Sequence, residues 1–503
     1  MLAEPRQNAR PGAMRRPLKT LMAALAAVAA TACAPDSEQA LNVTVIGKGQ
    51  PVIADPSAAT LSAPSEVLLV NAAQGLVRFD ADGQIEPGLA ERWNVSDDGL
   101  SYIFRIAPLE WAEGRPASAR EVARILNRQL RSASRNPLKD SLGIIGEIVA
   151  MTDRVIEIRL KAARPDLLQL LAQPQMAIVR DGHGTGPFEV DPQQDAPGAI
   201  SLTRRIQIVD DDDRIEHVHL RSAAAEQAVA QFQAGKTALV LGGTFVNLPA
   251  VPRGERRMRN AVRFDPVAGL FGLRPARSGG PLADQKLRAL LNRAINREAL
   301  IAALDVPNLV PRATLLQAGL DGGAVPLAPD WIAQPYAERM AGAAREARRI
   351  IGQDEPLEIA IALPEGGGAD ILFNRLASDW RPLGIELVRA GNGVRADLTL
   401  VDQVAPSTSP AWFVRNFRCG VMPLCSEDAD KLMDSARDAE IPAQRTALLA
   451  EAGRLIDADV LFMAIAAPIR WSLVDDGLPG FAENIFARHP LSGLRERPAP
   501  ERQ

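Results

Sequence analysis

Strict alternation of apolar and polar positions marks the first strands, at LNVTVIG (41–47), YIFRI (102–106) and RVIEIRL (154–160). In the last, Ile156, Ile158 and Leu160 share one face while Glu157 and Arg159 take the other. A helical spacing replaces it at 118–130, where Val122, Ile125 and Leu126 form one stripe behind Ser118, a natural N-cap. Further on, a strand at 215–220, a helix at 223–235 and a strand at 237–243 predict a β-α-β unit closing on glycines. A second body opens with a helix over 284–304, capped by Asp284 and burying Leu287, Leu290, Leu291, Ala294 and Ile295. Strand 357–363, helix 369–380, strands 384–388 and 396–401 come next, and 428–459 predicts two helices broken at Ile441-Pro442. Strands alternating with helices imply an α/β fold with a largely parallel sheet. In such sheets ligands sit beyond the carboxyl ends of the strands, which points to the ends at Gly242 to Phe245 and at Asp402-Gln403.

At 503 residues the chain is long enough for about two or three domains. Hydrophobic residues at 47% and charged residues at 23% are the usage of a packed globular protein. A net charge of −4, with basic residues spread out, excludes a nucleic-acid surface. The N-terminus adds a destination. Met14 to Thr20 is basic, and Leu21 to Ala32 is a short apolar run ending in small residues, the pattern of an export signal that starts at Met1 or Met14. Cys33 comes directly after it, with Ala30 three positions before the cysteine, so lipidation of Cys33 after cleavage is expected, with ordinary cleavage nearby as the alternative. Outside the cytosol the remaining pair, Cys419 and Cys425, is expected to form a loop-closing disulfide.

Other features point away from chemistry. HGTGPFEV (183–190) lacks the third glycine of a dinucleotide loop, and Pro187 has no N–H, so it predicts a sharp turn rather than a phosphate cradle. His217 and His219 share a strand face, which is expected to be solvated rather than metal-bound, and Asp210 to Asp213 form a turn. No nucleophile elbow, HExxH or cofactor motif is present, so neither a hydrolase nor a cofactor is expected.

Taken in order, QGLVRFDADGQIEPGLAERWNVSDDGLSYIFRI (74–106), EWAEGRPASAREVARIL (110–126), GTGPFEV (184–190), ADQKLRALLNRAINREAL (283–300) and the helices of 428–459 resemble a known family. It is that of the extracellular solute-binding proteins of family 5, the dipeptide-, oligopeptide- and nickel-binding type that serves ABC importers. The resemblance implies a bilobal, type II periplasmic-binding-protein fold with an extra small domain and a ligand cleft between the lobes. It implies a leader at 1–33, a main lobe from 34–55, 184–270 and 472–503, a small accessory domain at 56–183 and a second lobe at 271–471. In the fourth block Asn296 replaces the usual Asp.

For function, the resemblance implies capture of a peptide or peptide-like solute by hinge closure and its delivery to a permease and ATPase, by a monomer held at the periplasmic or outer face of a bacterial membrane through its lipid. The alternatives are a non-peptide solute (an oligosaccharide or metal chelate) or an envelope lipoprotein without a transport role. The candidate ligand-binding residues are Thr244, Phe245, Trp380, Asp402, Gln403, Ser409 and Trp412, with core packing or loop capping as the alternative for each but Ser409. One departure matters: peptide-binding members carry Ala-Asp-x-x-Asp-Pro after the equivalent strand, its second Asp gripping the α-ammonium. Here APSTSP (405–410) puts Pro406 and Ser409 at those carboxylate positions, with Asp402 close by as a substitute.

Overall fold

The computed structural model describes residues 40–494 apart from 112–113, 192–197, 208–212, 324, 353–354 and 392. Cys33 and most of the 210–213 acidic run therefore lie outside the described residues. The first sheet has seven strands in the order Val262–Phe264, Arg470–Val474, Leu239–Thr244, Leu41–Ile46, Arg214–Ala223, Ala199–Ile206, Glu189–Val190. Leu41–Ile46 runs parallel between Arg214–Ala223 and Leu239–Thr244, which is why it is buried along nearly its whole length despite its alternating sequence. Helix Ala225–Gln233 is the crossover joining those two neighbours, with Ala228, Val229 and Phe232 buried beneath it. The one polar residue buried mid-strand, Thr44, reaches the side chains of Gln231 and Thr237 at 3.2 Å.

A second sheet has five strands in the order Ile385–Arg389, Leu357–Ala362, Leu398–Val404, Gly269–Pro275, Met463–Ala466. Helix Gly367–Trp380 links its first two, parallel strands and buries Leu372, Leu376 and Trp380. A third, four-stranded sheet is wholly antiparallel, Ala90–Val95, Ser101–Ile106, Val155–Leu160 and Ile145–Thr152. Helix Ala119–Leu130 covers it with Val122, Ile125 and Leu126, and Ser118 accepts a hydrogen bond from the Glu121 N–H as its cap. The expectation of a largely parallel sheet is thus corrected. Strands returning from distant parts of the chain, Arg470–Val474 and Met463–Ala466 among them, enter antiparallel, and such pairings leave no local trace in sequence.

The helix expected over 284–304 is two, Gln285–Ala294 and Arg297–Leu304, with Ile295 extended between them. Asn296 causes the break: its side chain accepts from Ala299 N–H while its own N–H donates to the Asp379 carboxylate at 2.9 Å. An Asn gains more from such a cap than from a helix interior. Asp284 caps the first helix through Lys286 N–H at 2.8 Å. Asp284→Ala is expected to cost about 1 kcal/mol, read as a small drop in the urea midpoint at unchanged slope. The helices Glu427–Asp438 and Pro442–Ala458 break at Pro442, as the proline dictates.

HGTGPFEV is a turn for a different reason from the one its glycines suggest. Neither Gly184 nor Gly186 has positive φ. A Cβ on Gly184 would instead lie 2.2 Å from Ala73 Cα, and one on Gly186 2.5 Å from the Ala72 carbonyl carbon. The segment lies against the end of helix Ala63–Ala72, and Gly186 and Phe188 donate their N–H groups to Ala72 and Asn71 carbonyls at 3.0 Å. Those donors are spent on the fold, which leaves no phosphate cradle.

Candidate functional site

Two cavities, of about 540 and 410 Å³, share Gln403 and Asn416 in their walls. The larger gathers Thr244 from the seven-stranded sheet, Gln403 from the five-stranded sheet, Glu66 from helix Ala63–Ala72 and Gln173 from the segment after the four-stranded sheet. The smaller lies past the carboxyl end of Leu357–Ala362. That strand stops pairing with Leu398–Val404 at Ala362↔Thr399, so Leu400 to Gln403 run on as an edge that forms the cavity wall. This is the place where open α/β sheets take ligands.

The carboxylates of these walls are all engaged. Asp402 accepts from Arg470 Nη1 at 2.8 Å, Glu66 from Arg488 Nη1 at 2.5 Å and Gln175 Nε2 at 2.7 Å. Asp265 accepts from the Asn484 N–H at 3.0 Å and lies 3.2 Å from His489 Nε2. Burial pushes the Asp402 carboxyl above its usual range, and the adjacent Arg470 guanidinium pulls it back. An ion pair held in so confined a place keeps its geometry better than a surface pair.

The APSTSP segment spends its polar groups elsewhere. Ser407 Oγ donates to Asp166 Oδ2 at 2.7 Å, both residues buried. Thr408 reaches Gln169 Oε1 through its N–H at 2.8 Å and its hydroxyl at 3.1 Å. The Pro406 carbonyl accepts from Gln173 Nε2 at 2.8 Å. All three partners flank or belong to helix Leu167–Leu171, so the segment is a clasp between two parts of the molecule.

Of the residues proposed from sequence, Thr244, Gln403 and Trp412 line the larger cavity and Phe245, Asp402 and Gln403 the smaller. Phe245 is fully buried, edge-on to Phe271 with ring centroids 4.9 Å apart, and serves as wall and core together. Two expectations are corrected. Trp380 is wholly buried and its ring N–H donates to the Leu291 carbonyl at 3.1 Å, so it has no surface to offer a solute. Ser409 precedes helix Pro410–Arg415, makes no side-chain cap and lines neither cavity. Cys419 and Cys425 are joined, with Cα atoms 5.1 Å apart. His217 and His219 face the hydroxyls of Thr203 and Ser201 on the next strand.

Sequence reasoning missed Arg274, Arg470, Arg488 and His489. The last two sit on a turn shaped by Asn484, whose side chain accepts from the N–H groups of Phe486 and Arg488. An Asn among loop residues was the available signal.

Comparison with known proteins agrees with this geometry. The family model for bacterial extracellular solute-binding proteins, family 5 Middle, matches residues 84–387. The probable deoxycholate-binding periplasmic protein YgiS of Escherichia coli (strain K12) is 28% identical over 121 residues, which are 20% of this chain and only 23% of that protein. The dipeptide-binding protein of Pseudomonas aeruginosa is 21% identical over 535 aligned residues, 92% of this chain and 96% of that one. The fold is shared with Haemophilus influenzae OppA in complex with RPPGFSPFR, at a TM-score of 0.77 and 15% identity, covering 91% of this chain and 99% of the other. The fold is therefore the bilobal α/β one, and the chain belongs to the bacterial extracellular solute-binding proteins of family 5.

Proposed function

We propose that this chain is the substrate-binding component of an ABC importer that captures a peptide or peptide-like solute by closing two bodies on it, then presents the closed form to a permease and ATPase. The observation that carries the reading is the pair of cavities at the junction of the sheets, with the clasp beside the larger one, where Pro406 and Gln173 of its walls bond each other and Ser407 holds Asp166. On this reading the contact forms as the bodies close, which is how solute binding becomes a signal. The chain then divides into a main lobe of 34–55, 184–270 and 472–503, an accessory domain of 56–183 and a second lobe of 271–471, and the second lobe closes on the other two. Each sheet draws its strands almost wholly from one of them.

The same proposal places the chain in the periplasm or at the cell surface as a monomer, exported by the leader at 1–33 and tethered through Cys33. No bond is made or broken; the buried ion pairs hold shape rather than relay protons. Thr244, Gln403 and Trp412, together with Arg470 and Asp402, are the proposed contacts. Deleting the gene and monitoring uptake of a labelled peptide and amide pool tests this reading. Loss of uptake that a plasmid copy restores supports it; full uptake in the deletion, with a damaged envelope, replaces it with a structural lipoprotein role.

A further inference from the structure

The smaller cavity has two charged side chains in its wall, Arg274 and Asp402, and the carboxylate pairs with Arg470 rather than with Arg274. Arg274 lies on strand Gly269–Pro275, half-buried, and lines this cavity. Among the described residues no carboxylate pairs with it; its Nη1 meets only the thioether of Met422 at 2.8 Å, a weak acceptor that carries no charge. Sheet register explains the isolation. Arg274 stands opposite Thr399, Gly272 opposite Val401 and Leu270 opposite Gln403, whereas Asp402 stands opposite Phe271. Directly opposed residues share a face and successive ones alternate. Asp402 therefore leaves the sheet on the other face, where Arg470 takes it, and it is not the partner of Arg274.

Asp402 apart, the rest of the wall is apolar or amide, with Leu270, Val401 and Phe417 beside Gln403 and Asn416. Asn416 spends its N–H on the Trp412 carbonyl. A half-buried guanidinium facing such a wall is costly to keep unless an anion arrives to meet it. The carboxylates of both cavities already hold Arg470, Arg488, His489 or backbone, which leaves none of them free for an ammonium.

Resting on the importer reading, we propose that the solute is an acidic one: an amide-bearing molecule with a carboxylate that docks on Arg274 and with no need of a free ammonium, such as an N-blocked peptide. The Arg274 fork donates charge-assisted hydrogen bonds to the carboxylate, Gln403 and Asn416 serve the amides, and the leucine and valine wall covers the aliphatic body.

Isothermal titration of the mature chain with four probes tests this: N-acetyl-trialanine, its C-terminal amide, trialanine amide and free trialanine. N-acetyl-trialanine is expected to bind about ten-fold or more tightly than its amide, the ratio that one charge-assisted contact supplies. Arg274→Gln is expected to abolish that preference and Arg274→Lys to keep part of it, with thermal melts confirming that both variants fold. The wild-type ratio decides by itself if they do not. Equal binding of acid and amide overturns the proposal. So does tighter binding of trialanine amide, which would assign the ammonium to the second oxygen of Asp402 and leave the importer reading intact. Silence with every probe overturns the acidic-peptide class, and the uptake experiment then decides separately whether the chain serves an importer at all.

Discussion

Arg297→Ala is expected to destabilise the five-stranded half by about 3–5 kcal/mol, the sum of buried carbonyls left without their donor and of the cavity the side chain vacates. Arg297 has no exposed surface. Its Nε donates to the carbonyls of Arg312 and Ala464 at 2.9 and 2.8 Å, and its Nη1 to that of Asn292 at 2.9 Å; Nη2 meets the Asn292 side chain. One side chain thus ties the end of helix Gln285–Ala294 to the strand Met463–Ala466 and to the loop before residue 315. The Trp331 ring lies 5.3 Å from its guanidinium carbon. Burial, and secondarily the neighbouring Arg339, draws its pKa down to about 9, which still leaves it charged at neutral pH. Alanine strands three carbonyls in a dry interior, each a cost in its own right, and leaves a void. Since whole domains are stable by only about 5–15 kcal/mol, guanidinium denaturation should show an early transition for this half in the variant, with the four-stranded unit melting later. An unfolding free energy within about 1 kcal/mol of wild type would mean that water or a neighbouring side chain replaces the guanidinium.

The same residue shows what was legible in the sequence. Arg297 lies in the NREAL portion of a block that resembles the family, and the helix around it was expected from its stripe of Leu287, Leu290 and Leu291. The break at Asn296 was not, because it depends on Asp379, a residue on another helix. Local periodicity gave most strands and helices, Ser118 and Asp284 as caps, and the proline break at Pro442. It could not give the antiparallel entry of Arg470–Val474, since that pairing joins positions more than two hundred residues apart. The site divided along the same line. Thr244, Gln403 and Asp402 could be expected at a cavity wall, where they lie, because strand ends are visible in a pattern. Arg274 sits one residue before the end of its strand in FGLRP, where an arginine reads as a solvent-facing residue until the register puts it over a cavity. Trp380 misled for the converse reason: a large aromatic at a helix end offers equal promise to a core and to a ligand, and only packing separates the two.

Ser407→Ala is expected to weaken solute binding by about ten-fold or more while leaving the melting temperature of the solute-free chain close to wild type. The hydroxyl is completely buried and donates to Asp166, a carboxylate that also receives Arg164 Nε at 3.1 Å and Nη2 at 3.2 Å. Hydrogen bonds to charged groups contribute about 1.5–3 kcal/mol, and methyl for hydroxymethyl introduces no clash. If the bodies part and close as proposed, this contact exists only in the closed form, so its loss lowers the closed population and raises the apparent Kd by the same factor. The fold within each body keeps all its own contacts, which is why stability should not track affinity. Two measurements separate this from a plain packing defect. Small-angle scattering without solute should give a larger radius of gyration for Ser407→Ala than for wild type, and a cycle with Asp166→Ala should show the two losses to be non-additive. Unchanged scattering with additive losses would show that Ser407 and Asp166 touch without governing closure. The clasp would then pass to Thr408 with Gln169 and to the Pro406 carbonyl with Gln173, whose bonds run between the same two parts of the molecule.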